Sequence, residues 1–423
     1  MTSATEPTSW RFARRLRFER NRGLFVAIGV FASILIGLDL ITPGPFSYFE
    51  FSYMSSGGTT LALLAMGEAV VILSGGFDLS AAAVISLVNS IVATNMGDST
   101  GSQVLWSVLA VLIGAAVGAV NGFFVAFLRL QSIVVTLATM FIIQGITLFV
   151  LARPGGSVPN ELSTFFVGDA IPNVLPAPVL VLLVALLVWG LVKKSRFGTG
   201  IYAIGSDPEA ARANGIPVVW VTFFTYVLAG AYYGAAGLFI SAHTGSGDPL
   251  LGKPMLLPIF AAVVVGGTML GGGRGGCLGP VFGAFILMLL VNVLLVLDVS
   301  PFYTTMVEGV ILILAVLGAT LGKGSSLAEA LHFGGLKLRA WRTAGLSPIG
   351  ASAYRRISLI PARTSAPVND ELTGPPWRQW ITRHADALRY SLPAYGLLVV
   401  VLIWTLALLP IACRGPCLWA NSP

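Results

Sequence analysis

The chain has 423 residues, 56% hydrophobic and 10% charged, and its 25 Lys and Arg against 18 Asp and Glu give a formal net charge of +7. Residues 24–321 hold about ten long apolar segments, and a helix needs roughly 20 apolar residues to cross a bilayer, so a water-soluble core is excluded. Backbone in lipid must satisfy its own hydrogen bonds, which makes the predicted fold an all-α polytopic membrane protein.

Residues 1–22 are strongly basic from Arg11 onward and are expected to form a cytoplasmic N-terminus. The apolar run 23–41 is as long as a true span and ends in Thr-Pro-Gly-Pro without a small-x-small cleavage site, so it reads as a retained helix. Spans are predicted at 24–41, 53–74, 79–96, 104–127, 132–151, 177–192, 218–241, 255–270, 277–297 and 303–321. Starting inside, the inside segments hold Arg11, Arg14, Arg15, Arg17, Arg20, Arg22, Arg129, Lys193, Lys194, Arg196, Arg212 and Arg274, and the outside ones only Arg153 and Lys253. This positive-inside bias supports both the count of ten and the orientation, because omitting one span inverts every later loop. The net charge is thus an orientation signal, and no nucleic-acid partner is expected. The longest outside connection, 152–176, reads as a short external cap.

After Gly322 the character changes. Residues 323–392 carry ten Lys and Arg against four acids, with scattered prolines, as a cytoplasmic linker near anionic lipid would. One extra apolar run follows at 392–411. Its Trp–basic approach echoes residues 10–38, either as a weak internal repeat or as two ordinary basic flanks.

Covalent chemistry finds no support. Cys277, Cys413 and Cys417 show no metal or disulfide spacing, and His243, His332 and His384 lie far apart, so no catalytic residue and no metal site are assigned. Residues 318–325, GATLGKGS, miss the phosphate-loop spacing by one residue, and Gly271-x-Gly273-x-x-Gly276 lacks a strand–helix–strand context. The glycine cluster at 266–276 instead suits a tight turn and close helix approach.

Polar groups inside spans are rare and costly, so each marks a pathway or an internal pair. Asp39, Glu68, Asp78, Asp298 and Glu308 are the acids in or beside spans. Glu68, Asp78, Ser80, Asn89, Asn121, Gln144 and Asn292 are pathway candidates, with helix-to-helix hydrogen bonding as the alternative. In residues 74–80, SGGFDLS, two glycines break one helix, and Asp78 or Ser80 is placed to cap the next. In residues 197–217 Gly205 is expected to close a turn. Ser206 or Asp207 then caps a short helix with Pro208 at its first position, Glu209 in its first turn, helix-forming Ala210, Ala211 and Ala213 around Arg212, and Gly215 as its stop. That makes an exposed cytoplasmic lever suited to docking on a soluble partner.

Four stretches in order then resemble the permease subunits of bacterial ABC importers for simple sugars, of the ribose, xylose and galactose type. They are 70–87 (VVILSGGFDLSAAAVISL), 130–150 (LQSIVVTLATMFIIQGITLFV), 201–217 (IYAIGSDPEAARANGIP) and 261–287 (AAVVVGGTMLGGGRGGCLGPVFGAFIL). Phe77 and Ala81–Ala82 depart from the family's small-aliphatic and Val-Gly pattern around Asp78. The resemblance implies a permease bundle of about ten helices over 23–322, and it makes 323–391 a linker and 392–423 an extra span that reads as the start of a truncated second permease domain. It also implies a location in the bacterial inner membrane, with Gly205 to Gly215 as the loop that couples to an ATPase. The implied partners are ABC ATPase subunits, a periplasmic sugar-binding protein, a second permease copy of the same or another kind, a small sugar and the lipid bilayer. ATP-Mg belongs on the partner ATPase, and this chain carries no cofactor. The alternatives are an ABC permease for nucleosides or branched-chain amino acids, and a stand-alone secondary carrier.

Overall fold

The computed structural model describes residues 22–41 and 46–296, together with positions 306, 309 and 310. Helix α1 spans Arg22–Ile41 and α2 spans Tyr48–Leu73. The N-terminus of α2 is closed by a capping box: the Ser47 hydroxyl accepts from the Glu50 amide, and the Glu50 carboxylate accepts from the Ser47 amide at 2.7 Å. Helices α3 (Ala81–Asn95), α4 (Thr100–Gly122, running on into a π-helical turn, Phe123–Phe127) and α5 (Ser132–Val150) follow.

The connection read as a plain external cap is folded. Helix α6 (Asn160–Val167) buries Leu162 and Phe166 and leads into a small antiparallel hairpin, β1 (Asp169–Ile171) and β2 (Leu175–Pro176). The Tyr48 hydroxyl donates to Asp169 and ties that hairpin to the start of α2. Helix α7 (Ala177–Lys194), two short helices α8 (Arg196–Ser206) and α9 (Pro208–Ala213), and the long α10 (Val218–Thr244) come next. A 3-10 turn (Lys253–Met255), α11 (Leu256–Val265) and α12 (Leu278–Val296) complete the described part.

Helices α2 and α10 form the centre. From Met54 to Leu73 nearly all of α2 is buried, as a helix that is apolar all round should be. Helix α4 packs on α10 backbone to backbone. A Cβ on Gly114 would collide with the Gly230 carbonyl, and one on Gly118 with that of Tyr226. Gly114, Gly118 and Gly122 recur at every fourth position opposite Gly230 and Gly234, the small-residue spacing that lets helices approach where lipid offers no hydrophobic drive.

Six described helices are long and apolar enough to cross a membrane, at 23–40, 48–73, 100–127, 132–150, 177–194 and 218–244. The spans expected at 79–96 and 255–270 are corrected: α3 has 15 residues and α11 has 10, each short of a full crossing. The reason is glycine. Gly267, Gly272, Gly273 and Gly275 all have positive φ, so the cluster forms a turn and cannot prolong α11. Apart from positions 306, 309 and 310, the span expected at 303–321 lies outside the described residues, as do the acids Asp298 and Glu308 and the linker and extra span of the tail.

Candidate functional site

The four stretches that carry the family resemblance converge. The first is the break between α2 and α3, the second is α5, the third is α8 with α9, and the fourth runs from α11 through the glycine turn into α12.

At the break the chain leaves α2 after Leu73, turns at Gly75 with φ of +85°, and stays non-helical to Ser80. Asp78 and Ser80 are 1% and 0% exposed, so water cannot satisfy this backbone. Side chains do it instead. The Phe77 amide donates to the Ser132 hydroxyl at 3.3 Å, and the Leu79 amide to the Thr136 hydroxyl at 3.1 Å. The Asp78 amide donates to the Glu68 carboxyl at 3.2 Å, and the Ser80 amide to Asp78 Oδ1 at 2.9 Å. Four successive amides thus receive four side-chain acceptors drawn from α2, α5 and the break itself.

Glu68, Asp78, Ser80 and Asn121, all pathway candidates from the sequence, come together here. The Ser80 hydroxyl donates to Asp78 Oδ1 at 2.6 Å, and the Asn121 amide donates to the Ser80 hydroxyl at 2.8 Å and to Asp78 at 3.3 Å. The Tyr233 hydroxyl, from α10, donates to the second oxygen of Glu68 at 3.0 Å. Sequence reasoning missed Tyr233, Ser132 and Thr136. A tyrosine or a helical hydroxyl inside an apolar run is too common to signal a partner by itself.

Two local expectations at these segments are corrected. Ser80 occupies the N-cap position of α3, but its side chain makes no capping bond; it is turned to Asp78, which accepts from the Ser80 amide and so closes a turn. Gly205 does not close a turn either. It lies inside α8, where its missing side chain admits the end of α2.

Asn89 and Gln144 belong to a different place. Asn89 is fully buried on α3, donates to Ser241 and to the Ser246 carbonyl, and accepts from the Asp248 amide at 2.7 Å. Gln144 donates to the Pro249 carbonyl at 2.9 Å. Together they stitch the segment between α10 and α11 into the bundle. Asn292 sits on α12 and is partly exposed. Among the described residues, no group of three His, Cys, Asp or Glu is placed to hold a metal ion.

The expected short helix is present as α9. Asp207 Oδ1 accepts from the Glu209 and Ala210 amides at 2.9 and 3.0 Å, Pro208 stands at the first helical position, and Gly215 leaves the helix with φ of +78°. Arg212 pairs with Glu209 at 3.1 Å on the solvent side, an exposed contact worth about 0–1 kcal/mol. Ala211 is buried, while Ser206 to Ala210 and Arg212 to Gly215 are exposed, so α9 stands out from the bundle as a short ledge.

A family profile described as branched-chain amino acid transport system / permease component matches residues 51–316. The chain belongs to that family. Within it, the permease is similar to the ribose import permease protein of Escherichia coli, 35% identical over 260 residues that cover 60% of this chain and 81% of the relative. The galactose/methyl galactoside import permease of the same species is 30% identical over 319 residues, 71% of this chain and 94% of the relative. Its L-arabinose transport system permease is 33% identical over 299 residues, 68% and 88%. No solved structure was found to match. The permease is accordingly a multi-pass helical membrane protein, and permease subunits of this kind are transport components. Its family residues 51–316 take in the break, α5, the α8–α9 ledge and the glycine turn.

Proposed function

We propose that this permease is the membrane subunit of an ATP-driven ABC importer for a small sugar of the ribose, galactose or arabinose kind. The observation that carries this reading is its similarity, over most of their length, to permeases whose names specify those three sugars. The family profile's description names branched-chain amino acids, but it covers a broad family, and the relatives at 30–35% identity divide it toward sugars.

In this reading the chain does no covalent chemistry and needs no cofactor of its own. ATP-Mg is hydrolysed on partner ATPase subunits that seat against α9, Gly205 to Gly215 forming the coupling element. A soluble sugar-binding protein delivers substrate on the other face, and a second permease copy completes the path. The protein sits in the bacterial inner membrane with its N-terminus inside, as the distribution of Lys and Arg favours. ATP binding and hydrolysis bias the bundle between outward- and inward-facing states, and the sugar follows the shift in population. Residues 23–322 form the transporting unit, with 323–391 as linker and 392–423 as an extra span. Deleting the gene in its own organism and measuring uptake of radiolabelled ribose, galactose and L-arabinose tests the reading. Loss of one of them, with an ATPase co-purifying with the tagged chain, is the expected result. Unchanged uptake of all three overturns it.

A further inference from the structure

The bundle contains two interrupted apolar segments, and they meet. One is the break at 74–80 that precedes the 15-residue α3; the other is the segment before the 10-residue α11. The Gly252 amide donates to the Ser86 hydroxyl at 2.9 Å, and a Cβ on Gly252 would collide with the Ala82 carbonyl, so the second segment lies directly on the start of α3. Non-helical backbone at membrane depth is tolerated only inside protein or along a cavity, and in secondary transporters paired interrupted helices mark the substrate site.

Beside this seam the Phe77 and Phe260 rings lie tilted against each other, their centroids 6.2 Å apart and their planes at 35°. Both rings are partly exposed, although Asp78, Ile259 and Ala261 beside them are each 1% exposed. The backbone at Phe77 is clamped on both sides, its amide by Ser132 and its carbonyl by the Tyr226 hydroxyl at 3.4 Å.

The geometry points to Phe77 and Phe260 as the aromatic contact for the passing sugar ring, an inference that rests on the sugar-importer reading above. A pyranose or furanose presents weakly polarised C–H groups on its faces and hydroxyls at its rim. The electron-rich face of a phenyl ring attracts the former and gives nothing to the latter. Two adjacent rings therefore sort sugars by the face they show, which an aliphatic side chain does less well.

The test is made in the organism's own cells, with the chromosomal gene replaced by Phe77→Leu, Phe77→Tyr or Phe260→Leu. Maximal uptake of labelled ribose, galactose and L-arabinose is measured and normalised to the amount of permease in the membrane. Each Leu variant is expected to slow uptake by roughly three- to tenfold and to change the ratio between sugars, while Phe77→Tyr keeps both near wild type. Equal uptake and unchanged ratios in both Leu variants overturn the inference and leave the importer reading standing. A uniform loss for all sugars that Phe77→Tyr shares also overturns it, since that is the pattern of a packing role. If wild type itself imports none of the three, the importer reading fails and this inference falls with it.

Discussion

Gly205 of α8 lies against the carbonyl oxygen of Leu73, the last residue of α2, with no side chain between them. The Gly273 amide donates to that same oxygen at 3.0 Å, and a Cβ on Gly272 would come within 2.7 Å of the Gly205 carbonyl. Three chain segments therefore meet through backbone alone, five residues before Asp78. Rigid contact of this sort transmits displacement, because no rotamer is available to absorb it.

Gly205→Ala is expected to destabilise the permease by about 1–3 kcal/mol, the usual cost of overpacking, and to lower uptake further than the loss of protein explains. Gly190→Ala is the control: α7 leaves open space around that glycine, and removing a helical glycine gains up to about 1 kcal/mol. Thermal unfolding in detergent compares the two, and equal midpoints would show that the Gly205 contact is soft.

The break tests differently. Glu68→Ala strips the acceptor from both the Asp78 amide and the Tyr233 hydroxyl, and each orphaned buried group costs about 1–3 kcal/mol. Glu68→Gln keeps an acceptor for the amide and is expected to lose less. Folded Glu68→Gln protein without any uptake would instead assign the carboxyl a role in transport itself.

Asp78→Ala leaves the Ser80 amide, the Ser80 hydroxyl and the Asn121 amide short of a partner in a site that water does not reach. Its cost is expected to exceed the ~1 kcal/mol of an exposed cap. Full stability and full uptake in Asp78→Ala, read by denaturation and transport assays on the same preparation, would contradict the network.

Glu209→Lys leaves the bundle intact, because its side chain is exposed and its pair with Arg212 contributes little. The expected result is normal membrane content with uptake reduced and ATPase association weakened, measured by co-purification. Unaltered docking and uptake would remove α9 from the coupling role.

Deletion of 330–423 is expected to retain uptake, since the family profile ends at residue 316. Loss of transport with the shortened protein still in the membrane would make the tail a working part of the pore or of a partner's seat.

Much of the fold follows from one-dimensional patterns. Apolar runs of span length placed six crossing helices within a few residues, and the order Asp207, Pro208, Glu209, Gly215 specified α9 because capping is local. The positive φ at Gly75 and Gly215 is local in the same way. The glycine cluster at 266–276 was legible too, as a tight turn, whereas the recurrence of glycine at 114, 118 and 122 and its partner on α10 came only from the packing.

The sequence by itself determined that this chain lives in a membrane, where the six long apolar helices run, that α2 breaks at the glycines and which polar residues are unusual. Only the tertiary structure decided what those residues do. Ser132 and Thr136 reach amides 55 and 57 positions away, and Tyr233 reaches Glu68 across 165. The physical reason is that a broken helix in a dry bundle must have its amides satisfied, but it does not dictate from where. Any of several hydroxyls could serve, and only the packing of α5 and α10 against the break selects the ones that do.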